Sequence, residues 1–179
     1  TFYYFFFFLE KKEKIIKSIS INGTLLYDGV VIDMTKDNNI IEVETKSYVD
    51  LTLESLENLK EYTKTFFEVK NNLQELLEEN EEISMLDIEE TNAFLVWFAD
   101  LIYLLTETYT FPFSDLEEIL FTVREEVEVL LELKEKNDYI GYILNLDICI
   151  SDILKSFCEN IDYYKNTILE EEENKKILF

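Results

Sequence analysis

The sequence predicts an α+β chain that is mostly α, with a small N-terminal antiparallel β unit followed by an antiparallel four-helix bundle. Three observations carry this. Only 3 Gly and 1 Pro punctuate 179 residues, too few turn formers for an all-β sandwich and well suited to long helices. Near residue 50 the apolar period changes from two to the alternating three and four of a helix. Hydrophobic content of 47% and aromatic content of 15% supply a core that a disordered acidic chain lacks, even at a net charge of −23. The expected organisation is a β unit over 1–49, a bundle over 50–173 with helices at about 50–80, 84–109, 114–136 and 138–170, and a tail over 174–179.

The run Thr1 to Leu9 is apolar but well short of the roughly twenty residues that a membrane helix needs. It reads as a strand closing on the next hairpin. The lysines that follow, Lys11, Lys12, Lys14 and Lys17, leave the remnant of a membrane anchor as the alternative. From Lys14 the chain alternates, with Ile15, Lys17, Ile19 and Ile21 on one face and Ile16, Ser18 and Ser20 on the other. Asn22-Gly23 is a strong signal for a two-residue hairpin turn. Leu25 to Ile32 should return, and Ile40 to Thr45 should add a further strand.

Asp50 or Thr52 is expected to cap the first helix, whose stripe runs Leu56, Leu59, Thr63, Phe66, Lys70, Leu73 and Leu77. Two positions of that seam are polar. Ser84 with Asp87 should cap the second helix, the most apolar in the chain: from Ala93 to Leu105 only Asp100 is not apolar. Such a helix is expected in the middle of the bundle. Pro112 ends it. Ser114 with Glu117 forms a second expected capping box, opening a helix with Leu116, Ile119, Leu120, Val123, Val127, Leu130 and Leu131 on one face. Asn137 and Asp138 break and recap the chain. The last stripe runs Ile143, Leu146, Ile150, Ile153, Leu154, Phe157, Ile161, Tyr164 and Ile168.

Three patches, IIEVETK at Ile40 to Lys46, LESLENLKEY at Leu53 to Tyr62 and NDYIGYILNLDI at Asn137 to Ile148, resemble a pattern in short, acidic, uncharacterised proteins of Gram-positive bacteria. The resemblance implies a short N-terminal segment followed by helices. It brings no functional residues with it.

Charge and composition exclude several chemistries. Between Asn71 and Leu133 seventeen acids face the single Arg124, a net of −16 out of −23, so phosphate neutralisation is disfavoured and no nucleic acid is expected. The expected partner is another protein, a basic one among the candidates, or a second copy of the chain through the N-terminal strand. There is no histidine, hence no usual general base, metal ligand or triad partner. The 3 isolated glycines form no phosphate loop. No catalytic residue and no cofactor is predicted. Asp33, Thr35, Asp37 and Glu44 fall at positions one, three, five and twelve of a calcium loop, but the flanks read as strands and Asn38 stands where glycine is required, so a polar turn is preferred. Cys149 and Cys158, nine residues apart, point to opposite sides of one helix, which fits inert thiols in a reducing compartment, the cytoplasm.

Asp100 and Asp147 are the candidate buried polar groups. For Asp100, a narrow polar strip through Glu89, Asn92 and Glu107 that reaches solvent is the preferred reading, and the same answer is preferred for Asp147. Phe2, Tyr3, Phe5 and Phe7, together with Phe111 and Phe113, are the candidate docking clusters, since aromatic residues are enriched at interfaces; packing of the β unit on the bundle through them is the preferred alternative. The functional expectation is a non-catalytic interaction protein (adaptor, chaperone or assembly factor) that uses aromatic patches within an acidic surface. A structural subunit of a phage or cell-surface assembly and an acidic immunity-type inhibitor are the alternatives.

Overall fold

In the computed structural model, residues 14–26, 39–112 and 114–177 are described. They fall into two compact units divided between Thr52 and Leu53. The α+β expectation holds: a three-stranded antiparallel sheet precedes a run of helices.

The sheet has strand order β2-β1-β3, with β1 Lys14–Ile21, β2 Thr24–Leu25 and β3 Ile41–Ser47. Asn22 and Gly23 both take positive φ, 53° and 77°, which is the backbone that a tight hairpin turn demands and that Asn-Gly supplies cheaply. Asn22 also holds the turn to the start of β3: its Oδ1 accepts from the Ile40 amide at 2.9 Å and its Nδ2 donates to Asn39 at 2.7 Å. The returning strand is described only as far as Leu26; the rest of the expected Leu25 to Ile32 strand lies outside the described residues, as does the Thr1 to Leu9 strand.

The alternation expected in β1 is corrected by a bulge at Lys17. Ile16 pairs with Thr45 and Ser18 with Glu44, so Lys17 is left over and the side chains before it change face. Ile16, Ile19 and Ile21 thereby share a face with Val43 and Ile41. Ser18 and Ser20 fall opposite, where their hydroxyls donate to Glu44 and Glu42 at 3.1 and 3.0 Å. The lysine is expelled from the apolar row and pairs with Glu44 instead, at 2.8 Å.

The helices are α1 Tyr48–Glu78, α2 Met85–Thr108, α3 Leu116–Glu135, α4 Tyr139–Asn145, α5 Ser151–Glu159 and α6 Ile161–Ile177. A π-helical segment, Leu146–Ile150, joins α4 to α5. This differs from the expected four helices: the last stretch carries the π turn, breaks at Asn160, and continues past Glu170 to Ile177. Caps differ too. Ser47, one residue before α1, accepts from the Asp50 amide at 3.0 Å, so neither Asp50 nor Thr52 is the cap. Ser84 caps α2 as expected, accepting from Asp87 at 3.3 Å. Ser114 does not cap α3; its hydroxyl donates to the Phe111 carbonyl at 3.0 Å, and the N-cap position falls to Asp115. Asn80 and Asn137, at φ 56° and 54°, close α1 and α3. The next amides, of Glu81 and Asp138, reach back to Leu76 and Leu133 at 2.8 and 2.9 Å.

Contacts run in opposite sense between α1 and α2 and between α2 and α3. Tyr62 meets Trp97 and Phe66 meets Phe94 between α1 and α2; Glu89 meets Lys134 and Tyr103 meets Arg124 between α2 and α3. The core is mostly Leu, Ile and Val, and a line of rings runs through it. Phe94, Phe98, Phe157, Tyr164 and Phe111 form an unbroken series of ring contacts with centroids 4.8–6.4 Å apart. Offset and edge-on ring pairs of this kind add about 0.5–1.5 kcal/mol each beyond their burial.

The seam of α1 is buried as its spacing implies, from Leu56 to Leu73. Its two polar positions are matched from the C-terminal helices: Thr63 accepts from Cys158 Sγ at 3.4 Å, and Lys70 is ion-paired with Asp147. The α2 helix is not surrounded. Leu86, Val96 and Tyr103 on one side of it are 63%, 47% and 45% exposed, because α1 and α3 cover only part of its circumference.

Candidate binding groove

Along the line where α1 meets α2, the aromatic residues of both helices leave a groove of about 480 Å³. The α1 helix contributes Tyr62, Thr65, Phe66 and Val69, which at spacings of three and four share one edge. Glu90, Thr91, Phe94 and Trp97 do the same from α2. Phe66 and Thr91 are buried and form the floor, while Tyr62 is 47% exposed and forms a wall. The Tyr62 and Trp97 rings meet edge-on at 5.2 Å, and Phe94 stacks against Trp97 at 6.1 Å with 28° between the planes. The rings therefore brace one another before anything enters. A volume in the range of about 300–1,000 Å³, lined by apolar groups with a few polar ones, is typical of a ligand site.

The polar atoms on this lining are mostly committed. Thr91 donates to the Asp87 carbonyl at 2.7 Å and Thr65 to that of Glu61 at 3.2 Å. Only the Glu90 side chain brings charge to the lining. Glu61, one turn before Thr65, and Asp100, one turn after Trp97, add exposed carboxylates on the same edges. Among the described residues, no lysine or arginine lines the groove.

On the opposite edge of α1 the character reverses. Lys60, Lys64 and Lys155 line a second groove with Thr63, Phe67, Asn71 and Cys158. Each of these lysines has an exposed acidic neighbour: Asp162 at 3.7 Å, Glu68 at 3.6 Å and Asp152 at 3.3 Å. Exposed pairs of this type are worth at most about 1 kcal/mol. The α1 helix thus directs its cations toward α5 and α6 and leaves its other edge acidic and aromatic.

The residues singled out in the sequence are placed differently from this groove. Phe111 is buried rather than exposed: it is 9% exposed and packs against Tyr163 and Tyr164 at 6.2 and 5.4 Å. Phe2, Tyr3, Phe5, Phe7 and Phe113 lie outside the described residues, as do Asp33, Thr35 and Asp37. Glu44 is engaged by Lys17 and Ser18, which hold its carboxyl below the usual range. No group of three or more metal-ligating side chains converges among the described residues. Asp100 is exposed rather than buried. The strip proposed for it is itself interrupted, since Asn92 turns into the core. Asp147 is also on the surface, with 59% of its side chain exposed; the buried partner is Lys70, at 9%. The hydrogen bond from that ammonium and its charge hold the Asp147 carboxyl below its ordinary value.

Beside the π segment, Glu126 accepts from Asn145 at 2.7 Å, and burial together with the Glu126 charge pushes the Cys149 thiol up. Cys158 is also pushed up, chiefly by burial. Both thiols are thus held in the protonated form, which is the poor nucleophile.

The chain matches no family model, no curated protein and no solved structure. Among the described residues, no helix is long and apolar enough to cross a membrane. The groove residues are not evident from consecutive aromatic runs, because they are spaced along two different helices. The usable signal was the pairing of Tyr62 with Phe66 and of Phe94 with Trp97 along single helix edges, in helices joined by a turn short enough to make them neighbours.

Proposed function

We propose that this chain is a non-catalytic interaction protein that takes an apolar segment of another protein into the α1–α2 groove. The observation that supports the reading is the aromatic lining itself. Tyr62, Phe94 and Trp97 remain partly exposed and meet along one groove, whereas Phe98, Phe157 and Phe111 are buried in the core. Tyrosine and tryptophan anchors in preformed pockets carry most of the energy of protein interfaces. The rings are already ordered, so binding would cost little side-chain entropy.

The chain's sole tryptophan lines this groove, which gives a direct test. A partner recovered on wild-type protein from the native source should shift Trp97 emission. It should be lost from a Tyr62→Ser, Thr65→Lys variant whose thermal melt matches wild type. A partner that binds both proteins equally would place the interface elsewhere and overturn this reading.

A further inference from the structure

Resting on that reading, we infer that the segment which fills the α1–α2 groove is a cationic amphipathic helix. Two properties of the groove select it. The first concerns backbone. Both walls are helices whose main-chain N–H and C=O groups are already paired internally, and the lining hydroxyls of Thr65 and Thr91 donate to their own helices. An extended segment would bury its backbone polar groups here without partners. A helix brings its own hydrogen bonds and presents only side chains, with anchors at spacings of three, four and seven.

The second property is charge. Glu90 lies in the lining, Glu61 and Asp100 extend the same two edges, and α2 contains no basic residue from Met85 to Thr108. All three lysines of α1 are directed elsewhere: Lys60 and Lys64 line the opposite groove, and Lys70 is buried against Asp147. Lysines or arginines flanking the apolar face of the incoming helix would meet carboxylates on both sides. A second copy of this chain, at net charge −23, would meet repulsion there.

The test uses the full chain and three synthetic helices, free of tryptophan, that share one leucine face and carry Lys, Gln or Glu at the polar positions. A fourth peptide has the composition of the Lys version with two central prolines, which block the helix. Trp97 emission reports occupancy. The expected result is binding of the Lys peptide about tenfold or more tighter than the Gln peptide near 50 mM salt, an advantage that shrinks near 500 mM as screening shortens. The Glu and proline peptides should give no response. Thr65→Lys should weaken the Lys peptide several-fold, whereas Asn166→Lys, with the same change in net charge at an exposed site on α6, should not.

Equal binding of the Lys and Gln peptides, or equal effects of the two lysine substitutions, would overturn the charge selection while the groove reading stands. Binding by the proline peptide would overturn the helix. Silence of Trp97 with every peptide would remove the inference and the groove reading together.

Discussion

The Tyr142 hydroxyl donates to Asn92 Oδ1 at 2.9 Å in a core where Tyr142 has no exposed surface. The same hydroxyl lies 3.4 Å from the Ile88 carbonyl, so α4 is tied to α2 by a polar contact inside the core. Burial pushes the tyrosine pKa well above its ordinary value, and the group stays a neutral donor throughout the range in which the protein is handled. The Nδ2 of Asn92 finds no acceptor among the described residues.

Removing the donor should therefore cost more than removing the pair. Tyr142→Phe leaves both polar ends of Asn92 unpaired in the core, and a loss of about 1–3 kcal/mol is expected in urea denaturation. Adding Asn92→Leu should recover a large part of that loss, and a double-mutant cycle measures the difference. Additive losses in the cycle would show that the two groups do not depend on each other.

Lys70 and Asp147 present an asymmetric ion pair, with the ammonium buried and the carboxylate half in water. Asp147→Asn strands a buried cation and should destabilise more than Lys70→Met, which replaces the cation by an apolar side chain of similar length. The pH dependence follows from the lowered Asp147 pKa. The unfolded chain binds the proton first as pH falls, so the pair's contribution is complete above the ordinary carboxylate range. It declines from about pH 4 downward and is lost below the folded value. Denaturation midpoints of wild type and Asp147→Asn should differ at pH 7 and converge in acid. Curves that run parallel down to pH 2 would deny the pair any role.

Gly141 occupies the third position after the N-cap Asp138. Its amide donates to Asp138 Oδ1 at 2.9 Å, and a Cβ added there would lie 2.6 Å from the other carboxylate oxygen and 3.0 Å from Leu133 Cδ2. In an unencumbered helix Gly→Ala stabilises by up to about 1 kcal/mol. Here the cap must move, at a comparable cost of about 1 kcal/mol, and the leucine must shift as well, so Gly141→Ala should lower the melting temperature. In an Asp138→Ala background the same change should raise it. A destabilising Gly141→Ala in both backgrounds would assign the conflict to Leu133 alone.

A net charge of −23 makes self-repulsion a standing load on the fold. Raising sodium chloride from about 20 to 500 mM, which cuts the screening length severalfold, should raise the urea midpoint with little change in slope. A midpoint that falls would mean that the cross-helix pairs, such as Lys165 with Glu57 at 2.6 Å, outweigh the repulsion.

Helix stripes were legible because periodicity records which side faces inward, whatever it faces. Leu56 to Leu73 and Ile143 to Ile168 were read with their buried members correctly placed, and Asn22-Gly23 announced its turn because few residues other than glycine accept that backbone. The β1 faces were misread because a bulge is settled by pairing: only the register against β3 shows the shift between Ile16 and Ser18. The Ser114 cap failed for a related reason, since the Phe111 carbonyl claims the hydroxyl.

Composition and order alone determined the α+β class, the acidic surface, the absence of histidine chemistry and the apolar stripes, because these depend on one residue or on neighbours within a turn. The tertiary structure decided where the charges and rings end up. Lys70 meets Asp147 across 77 residues, Phe111 is taken into the core by Tyr163 and Tyr164, and Tyr62 and Trp97 are brought to one groove. Those outcomes depend on which helix faces which, and a single helix's period carries no information about its neighbour's.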